Sequence, residues 1–168
     1  MRLLLLLLPL CILAGCESTD TSGAVDVASA PDSDQAAQQA TLTMEGDTFA
    51  LEVVACDLTG ETDDDTPTLQ AEKEAPGGTL RVTATRERLR GSLIHRIRVA
   101  IDDGSENPPV QEAERTFGLG AWTSLRDGPE EPLLHISGDT LRAQGRFGQP
   151  HPKEMEGLMD GKLEAICS

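Results

Sequence analysis

The chain predicts an all-β fold: one small antiparallel domain, either a sandwich or a half-open barrel, with one short helix allowed. Three observations predict it. The stretches "TLRVTATRE" (79–87) and "GSLIHRIRVAIDDG" (91–104) alternate apolar and polar residues with a period of two. Further short apolar runs recur at near-regular spacing, separated by Gly, Asp and Pro. No long segment carries the 3.6-residue period of an amphipathic helix.

The elements follow in chain order. Residues 3–14 are apolar all round, behind a single Arg2. The run is short of the roughly 20 residues a membrane-spanning helix needs. A charged start, a short greasy middle and small residues at its exit read as a secretory signal. Residues 17–40, "ESTDTSGAVDVASAPDSDQAAQQA", hold five acids, no base and no aromatic residue. Such a composition buries too little to repay ordering and predicts a flexible tether, spanning roughly 25–30 Å. A recognition role for this segment is the sharper alternative.

From Thr41 the texture changes. Thr41–Glu45 and Thr48–Leu58 flank Gly46-Asp47, a two-residue hairpin connection, and Phe49, Leu51, Val53 and Ala55 share one face. Residues 59–78, "TGETDDDTPTLQAEKEAPGG", read as a long acidic loop, too charged for a strand. Leu80, Val82 and Ala84 then face away from Arg81, Thr83 and Thr85. Leu93, Ile97, Val99 and Ile101 face away from Arg96 and Arg98, with the turn near Arg90-Gly91. Further strands are expected over Val110–Phe117, Ala121–Arg126, Leu133–Ser137, Leu141–Phe147 and Lys162–Cys167. "VQEAER" (110–115) would also suit a helical turn, and residues 150–161 are expected to supply the last crossing, partly as helix.

Charge and composition exclude several functions. Removing residues 1–15 takes away one base and no acid, so the −15 of the whole chain becomes −16. Nucleic-acid binding rests on cations neutralising phosphates and is not expected; nor is a grip on anionic lipid headgroups. Four aromatic residues, Phe49, Phe117, Trp122 and Phe147, are too few for a stacking platform.

The motif at the end of the apolar run goes further. Leu13-Ala14-Gly15-Cys16 resembles the lipobox of bacterial lipoproteins, in which diacylglycerol is attached to the cysteine sulfur before cleavage at its N-terminal side. The resemblance implies domains at 1–15 (signal, removed), 16–40 (lipidated Cys16 and tether) and 41–168 (β domain). Two or more acyl chains hold a protein on a bilayer stably, at about 0.8 kcal/mol per buried methylene. The partner is then a membrane, entered through the acyl chains on Cys16. Its place is the outer side of the cytoplasmic membrane or, in a cell with two membranes, the outer one. Glu17 departs from the Asp that in lipoproteins signals inner-membrane retention.

Cys11 leaves with the signal and Cys16 carries lipid, so Cys56 and Cys167 remain as an even pair in an oxidising compartment. A disulfide between them is expected. It would close about 110 residues, for which the chain-entropy model gives roughly 4–5 kcal/mol. Two buried free thiols are the alternative; a metal site on two cysteines without C-x-x-C spacing is a weaker one.

The domain as a whole resembles the mycobacterial lipoprotein-antigen (LpqH-like) family. The matching pieces, in order, are "MEG" (44–46), "VVAC" (53–56), "NPPV" (107–110), "GLG" (118–120), "GRF" (145–147) and "LEAICS" (163–168). This implies a disulfide-closed β domain displayed on the cell envelope as a surface antigen. No catalytic residues carry over; only Cys16, Cys56 and Cys167 transfer. The chain is more acidic and Arg-rich than that family's pattern.

Chemistry is sparse. His95 falls on the apolar face of its strand, as a core histidine or as an acid/base or metal group. His135, in "LLHIS", would have to converge with it, and His151 is expected to be exposed. No H-x-x-x-H spacing supports zinc. Ser92, Ser124 and Ser137 lack a G-x-S-x-G elbow. The loop 61–66, "ETDDDT", could gather calcium but lacks the spaced order of a calcium loop. Trp122 either fills the core or, with His95, lines a pocket for an apolar ligand. The expectation is a non-catalytic, monomeric domain without metal or cofactor, binding an envelope protein or a lipid ligand. A carrier or chaperone of an apolar ligand is the alternative, and an enzyme the third reading.

Overall fold

The computed structural model describes residues 38–61, 66–126, 131–150 and 157–168. They form ten strands: β1 Gln39–Met44, β2 Asp47–Cys56, β3 Leu69–Ala75, β4 Gly78–Leu89, β5 Ser92–Asp102, β6 Val110–Gly118, β7 Ala121–Thr123, β8 Leu134–Ser137, β9 Thr140–Phe147 and β10 Met159–Ile166. No helix occurs among the described residues. The strands pair in one antiparallel sheet, ordered β7-β6-β5-β4-β3-β2-β1-β10-β9-β8. Of the two expected architectures the half-open barrel is the one formed, as a single sheet curled into a half-barrel. The chain runs as a meander from β1 to β7, then returns through β8 and β9 to lay β10 beside β1.

The curl follows from the alternation. Leu42 on β1, Leu51 on β2, Leu69 and Ala71 on β3, Val82 and Ala84 on β4 and Ile97 on β5 all lie on the concave face and are buried. Leu141 on β9 and Leu163 on β10 close the same core. The opposite face of these strands carries Arg, Glu and Thr, as the period of two requires. Curling continues until β6 meets the end of β9, where Glu112 and Gly148 exchange two backbone hydrogen bonds of 2.7 and 3.0 Å.

Several elements differ from the sequence expectation. The first turn is Glu45-Gly46, one residue earlier than expected, and β7 is three residues rather than six. Residues 59–78 are not all loop, since they contain β3. Its charges sit outside, where Glu72 meets Arg81 at 3.4 Å, while Leu69 and Ala71 are buried in the core and Ala75 packs against it. "VQEAER" is strand, opening β6. The last strand begins at Met159 rather than Lys162. The helix allowed within 150–161 falls largely on 151–156, outside the described residues.

The face of β2 also changes midway. The register with β3 shifts between Val53 and Ala55, leaving Val54 as an unpaired bulge residue. A one-residue bulge inverts the alternation. Ala55 is therefore exposed, against expectation, and Cys56 turns toward the core. Cys56 is bonded to Cys167, with Cα atoms 5.8 Å apart. The bond joins β2 to the end of β10 just beyond Gln39, the first residue of the strand between them.

Candidate functional site

The most unusual side-chain chemistry lies along the seam where the sheet nearly closes. β6 has a free edge between its bridge to Gly148 and its short pairing with β7, and β9 has the same between Gly148 and β8. Arg115 of β6 crosses this opening. One terminal nitrogen donates to the carbonyls of Glu131 (2.9 Å) and Pro132 (3.4 Å), the other to that of Gln144 (3.4 Å). Arginine suits this task because its planar fork donates in several directions from one rigid group.

His95 of β5 is the cross-strand neighbour of Arg115 and lies on the concave face. Its Nδ1 accepts the backbone N–H of Leu134, the first residue of β8, at 3.1 Å. Nδ1 is thus the unprotonated nitrogen, and Nε2 carries the hydrogen. Among the described residues, Nε2 is buried without a hydrogen-bond partner. Burial first, and then the positive charges of Arg86 and His135, push the imidazole down to about 4, against a smaller opposing pull from Glu61. A neutral ring whose lone pair already serves a buried amide is poorly placed to take a proton from a substrate.

Trp122 of β7 stacks on His95, with centroids 4.5 Å apart and planes tilted by 46°. Phe117, its partner across the β6–β7 hairpin, stands 5.4 Å away on the other side. The two residues expected to line a pocket are thus brought together, but against each other. His135 does not converge with His95. On β8 it alternates with buried Leu134, is exposed, and lines a cleft on the convex face. His151 lies outside the described residues.

The convex face of β4, β5 and β6 carries a charged ladder. Arg96 reaches Glu87 (3.3 Å), Glu114 (2.8 Å) and Glu112 (3.8 Å), and Arg98 reaches Glu112 (3.7 Å). Glu87 is only 4% exposed. Burial works against the Arg96 charge, but Glu114, Glu112 and Glu87 outweigh it and raise its pKa. Beside the ladder, Arg126 is buried and donates to the carbonyl of Gln149 at 2.7 Å.

Among the described residues, clefts open on the convex face. One of about 610 Å³ lies between the ladder and residues 123–126. One of about 550 Å³ runs over Thr43, Arg146 and Lys162, and one of about 510 Å³ over His135, Arg142 and Glu164. All three are lined with charged and polar groups, and neither Trp122 nor His95 borders any of them.

The other expected chemistry is dispersed. Ser124 Oγ accepts the N–H of Arg126. Glu61 forms a two-bond pair with Arg88 at 2.7 Å, and Asp57 accepts from Thr59. The aspartates of the calcium-loop candidate, Asp63, Asp64 and Asp65, lie outside the described residues. Among the described residues no group of three or more His, Cys, Asp or Glu could hold a metal ion. No described helix is long and apolar enough to cross a membrane.

Sequence reasoning missed Arg115, Glu87 and Arg126. Nothing in "VQEAER" or "TRERLR" separates a buried charge from a solvated one, because that depends on which strand arrives opposite. The chain matches no family model, no curated protein and no solved structure.

Proposed function

We propose that the protein is a lipid-anchored component of a bacterial cell envelope, with a non-catalytic β domain that binds or scaffolds a partner there. The observation that carries this reading is the distribution of cysteines. Cys56 and Cys167 are consumed in one bond across the barrel end, a pairing suited to an exported, oxidising compartment. Cys16 stands apart, at the exit of the apolar run and after Leu-Ala-Gly. A thiol there is the acceptor that lipid transfer requires.

The chemistry around the seam supports the non-catalytic part. His95 gives its lone pair to the Leu134 amide and its face to Trp122, and Arg115 gives its donors to backbone carbonyls. These groups are engaged in holding the sheet closed. The surface-antigen likeness agrees with this reading and rests on the sequence pieces alone.

Mass spectrometry of the mature N-terminal peptide tests it. The expected result is a peptide starting at Cys16 with a diacylglyceryl mass increment. An intact chain starting at Met1 with an unmodified Cys16 would overturn it.

A further inference from the structure

We infer that the barrel end from which the N-terminal chain departs is a membrane-contacting face, seated on the zwitterionic surface of the bilayer that holds the anchor. This rests on the anchored reading above. The antiparallel register places several features at that end. Gln39, where β1 begins, pairs with Ile166 and Glu52, so the chain enters beside the Cys56–Cys167 bond. Cys56 pairs with Leu69, and Leu69 with Ala84, so β4 runs on past that level to its tip at Arg90-Gly91. Leu93 pairs with Phe117, which brings the β6–β7 tip at Leu119-Gly120 alongside.

Among the described residues, five of the seven exposed large apolar side chains lie toward this end, with Leu125 and Ile101 elsewhere. Leu119 is fully exposed, Leu89 is 47% and Phe117 37% exposed, and Val54 and Ile166 are exposed toward the same end. Leu119 is the most telling. It occupies a two-residue hairpin turn with φ +52°, a left-handed conformation that bulky residues avoid and that Asn, Asp or Gly normally fills. Backbone preference and solvation both oppose a leucine there, and it covers no part of the core. Glu45 and Arg90 hold the same conformation at the first positions of their own hairpin turns, so the turn demands it; Leu119 is set apart by a fully exposed apolar side chain.

The surroundings match a lipid interface. Trp122 and Phe117 form a ring pair behind the tip, and amphipathic aromatic rings favour the headgroup level of bilayers. Arg90 stands at the neighbouring tip on a stem long enough to reach a headgroup while Leu89 lies deeper. The overall charge selects a zwitterionic rather than an anionic surface, since a net −16 is repelled by anionic lipid. Of the described carboxylates at this end, Glu61 pairs with Arg88 and Asp57 accepts from Thr59, while Asp139 in the β8–β9 turn is exposed.

The connection supplies the rest. Residues 17–38 separate Cys16 from the first strand. A few partly buried leucines would bind a vesicle weakly from solution. Held at the bilayer by such a linker, the same contact sees an effective concentration of roughly millimolar and becomes the resting orientation.

Trp122 is the only tryptophan and serves as the reporter. The full chain, purified in detergent from the membranes of the cells that make it, is reconstituted into phosphatidylcholine vesicles with and without brominated acyl chains. Bromine is expected to quench Trp122 emission. The double variant Leu89→Asp/Leu119→Asp, floating with the vesicles equally well, is expected to lose that quenching. Wild-type protein that floats but is not quenched overturns the docking face and leaves the anchor standing, as does quenching that survives the double variant. Protein that neither floats nor carries lipid on Cys16 overturns the anchored reading itself.

Discussion

At the residue scale, His95 shows how a side chain suited to acid–base chemistry becomes structural. The sequence placed it on the apolar face, and the structure supplies the reason it stays there: the Leu134 amide needs an acceptor that the free edge of β8 cannot find within the sheet. Folded His95 binds a proton only below about 4, whereas the unfolded chain binds it below about 6.5. Between those values the unfolded state holds more protons, so this contribution is complete above pH 6.5 and is lost as pH falls toward 4. Urea denaturation at pH 7.0 and 4.5 should show a loss of about 2–3 kcal/mol attributable to this group. A His95→Gln variant keeps an acceptor for Leu134 and should show a correspondingly flatter pH dependence; an equal slope in both proteins would refute the assignment.

At the element scale, strands were legible where one face was plainly apolar. β4 and β5 follow their sequence alternation residue by residue, and Arg90-Gly91 forms their turn. β3 was not legible, because its contribution to the core is three apolar residues, Leu69, Ala71 and Ala75, spaced among charges. The bulge in β2 was equally hidden: no residue type marks Val54 as the extra one, yet it decides that Cys56 and not Ala55 faces inward. Two predictions belong here. A Cβ at Gly161 of β10 would lie 2.6 Å from the ring of Phe147, which covers the glycine from β9. Gly161→Ala should therefore cost about 1–3 kcal/mol, measured by the urea midpoint. On the convex face Arg96 is the cation shared by Glu87, Glu112 and Glu114. Arg96→Leu removes it from a nearly buried carboxylate and should cost about 3 kcal/mol, where an exposed pair would cost less than 1. Glu87→Gln in the same background should recover part of that loss.

At the scale of the whole molecule, one bond and one seam hold a curled sheet shut. The Cys56–Cys167 bond closes a separation of 111 residues at the end where β1 enters. Its replacement by a Cys56→Ser/Cys167→Ser pair should lower the unfolding free energy by about 4–5 kcal/mol, read from urea curves of the oxidised and doubly substituted proteins. At the seam, Arg115→Ala removes the clamp on Glu131, Pro132 and Gln144. Hydrogen exchange should then quicken at the Glu112 and Gly148 amides well before β3, β4 and β5 are affected; uniform exchange across the sheet would refute a local clamp. The sequence by itself determined the β class, the paired cysteines and the charge that argues against nucleic acid, because period, parity and net charge are properties of the chain and survive any arrangement of its strands. Only the tertiary structure decided that one sheet curls instead of two stacking, that Arg115 and His95 reach partners across the seam, and that Leu89 and Leu119 share an end with the departing chain. Each of those depends on which distant strands become neighbours, and pairing between strands far apart in sequence leaves no local trace.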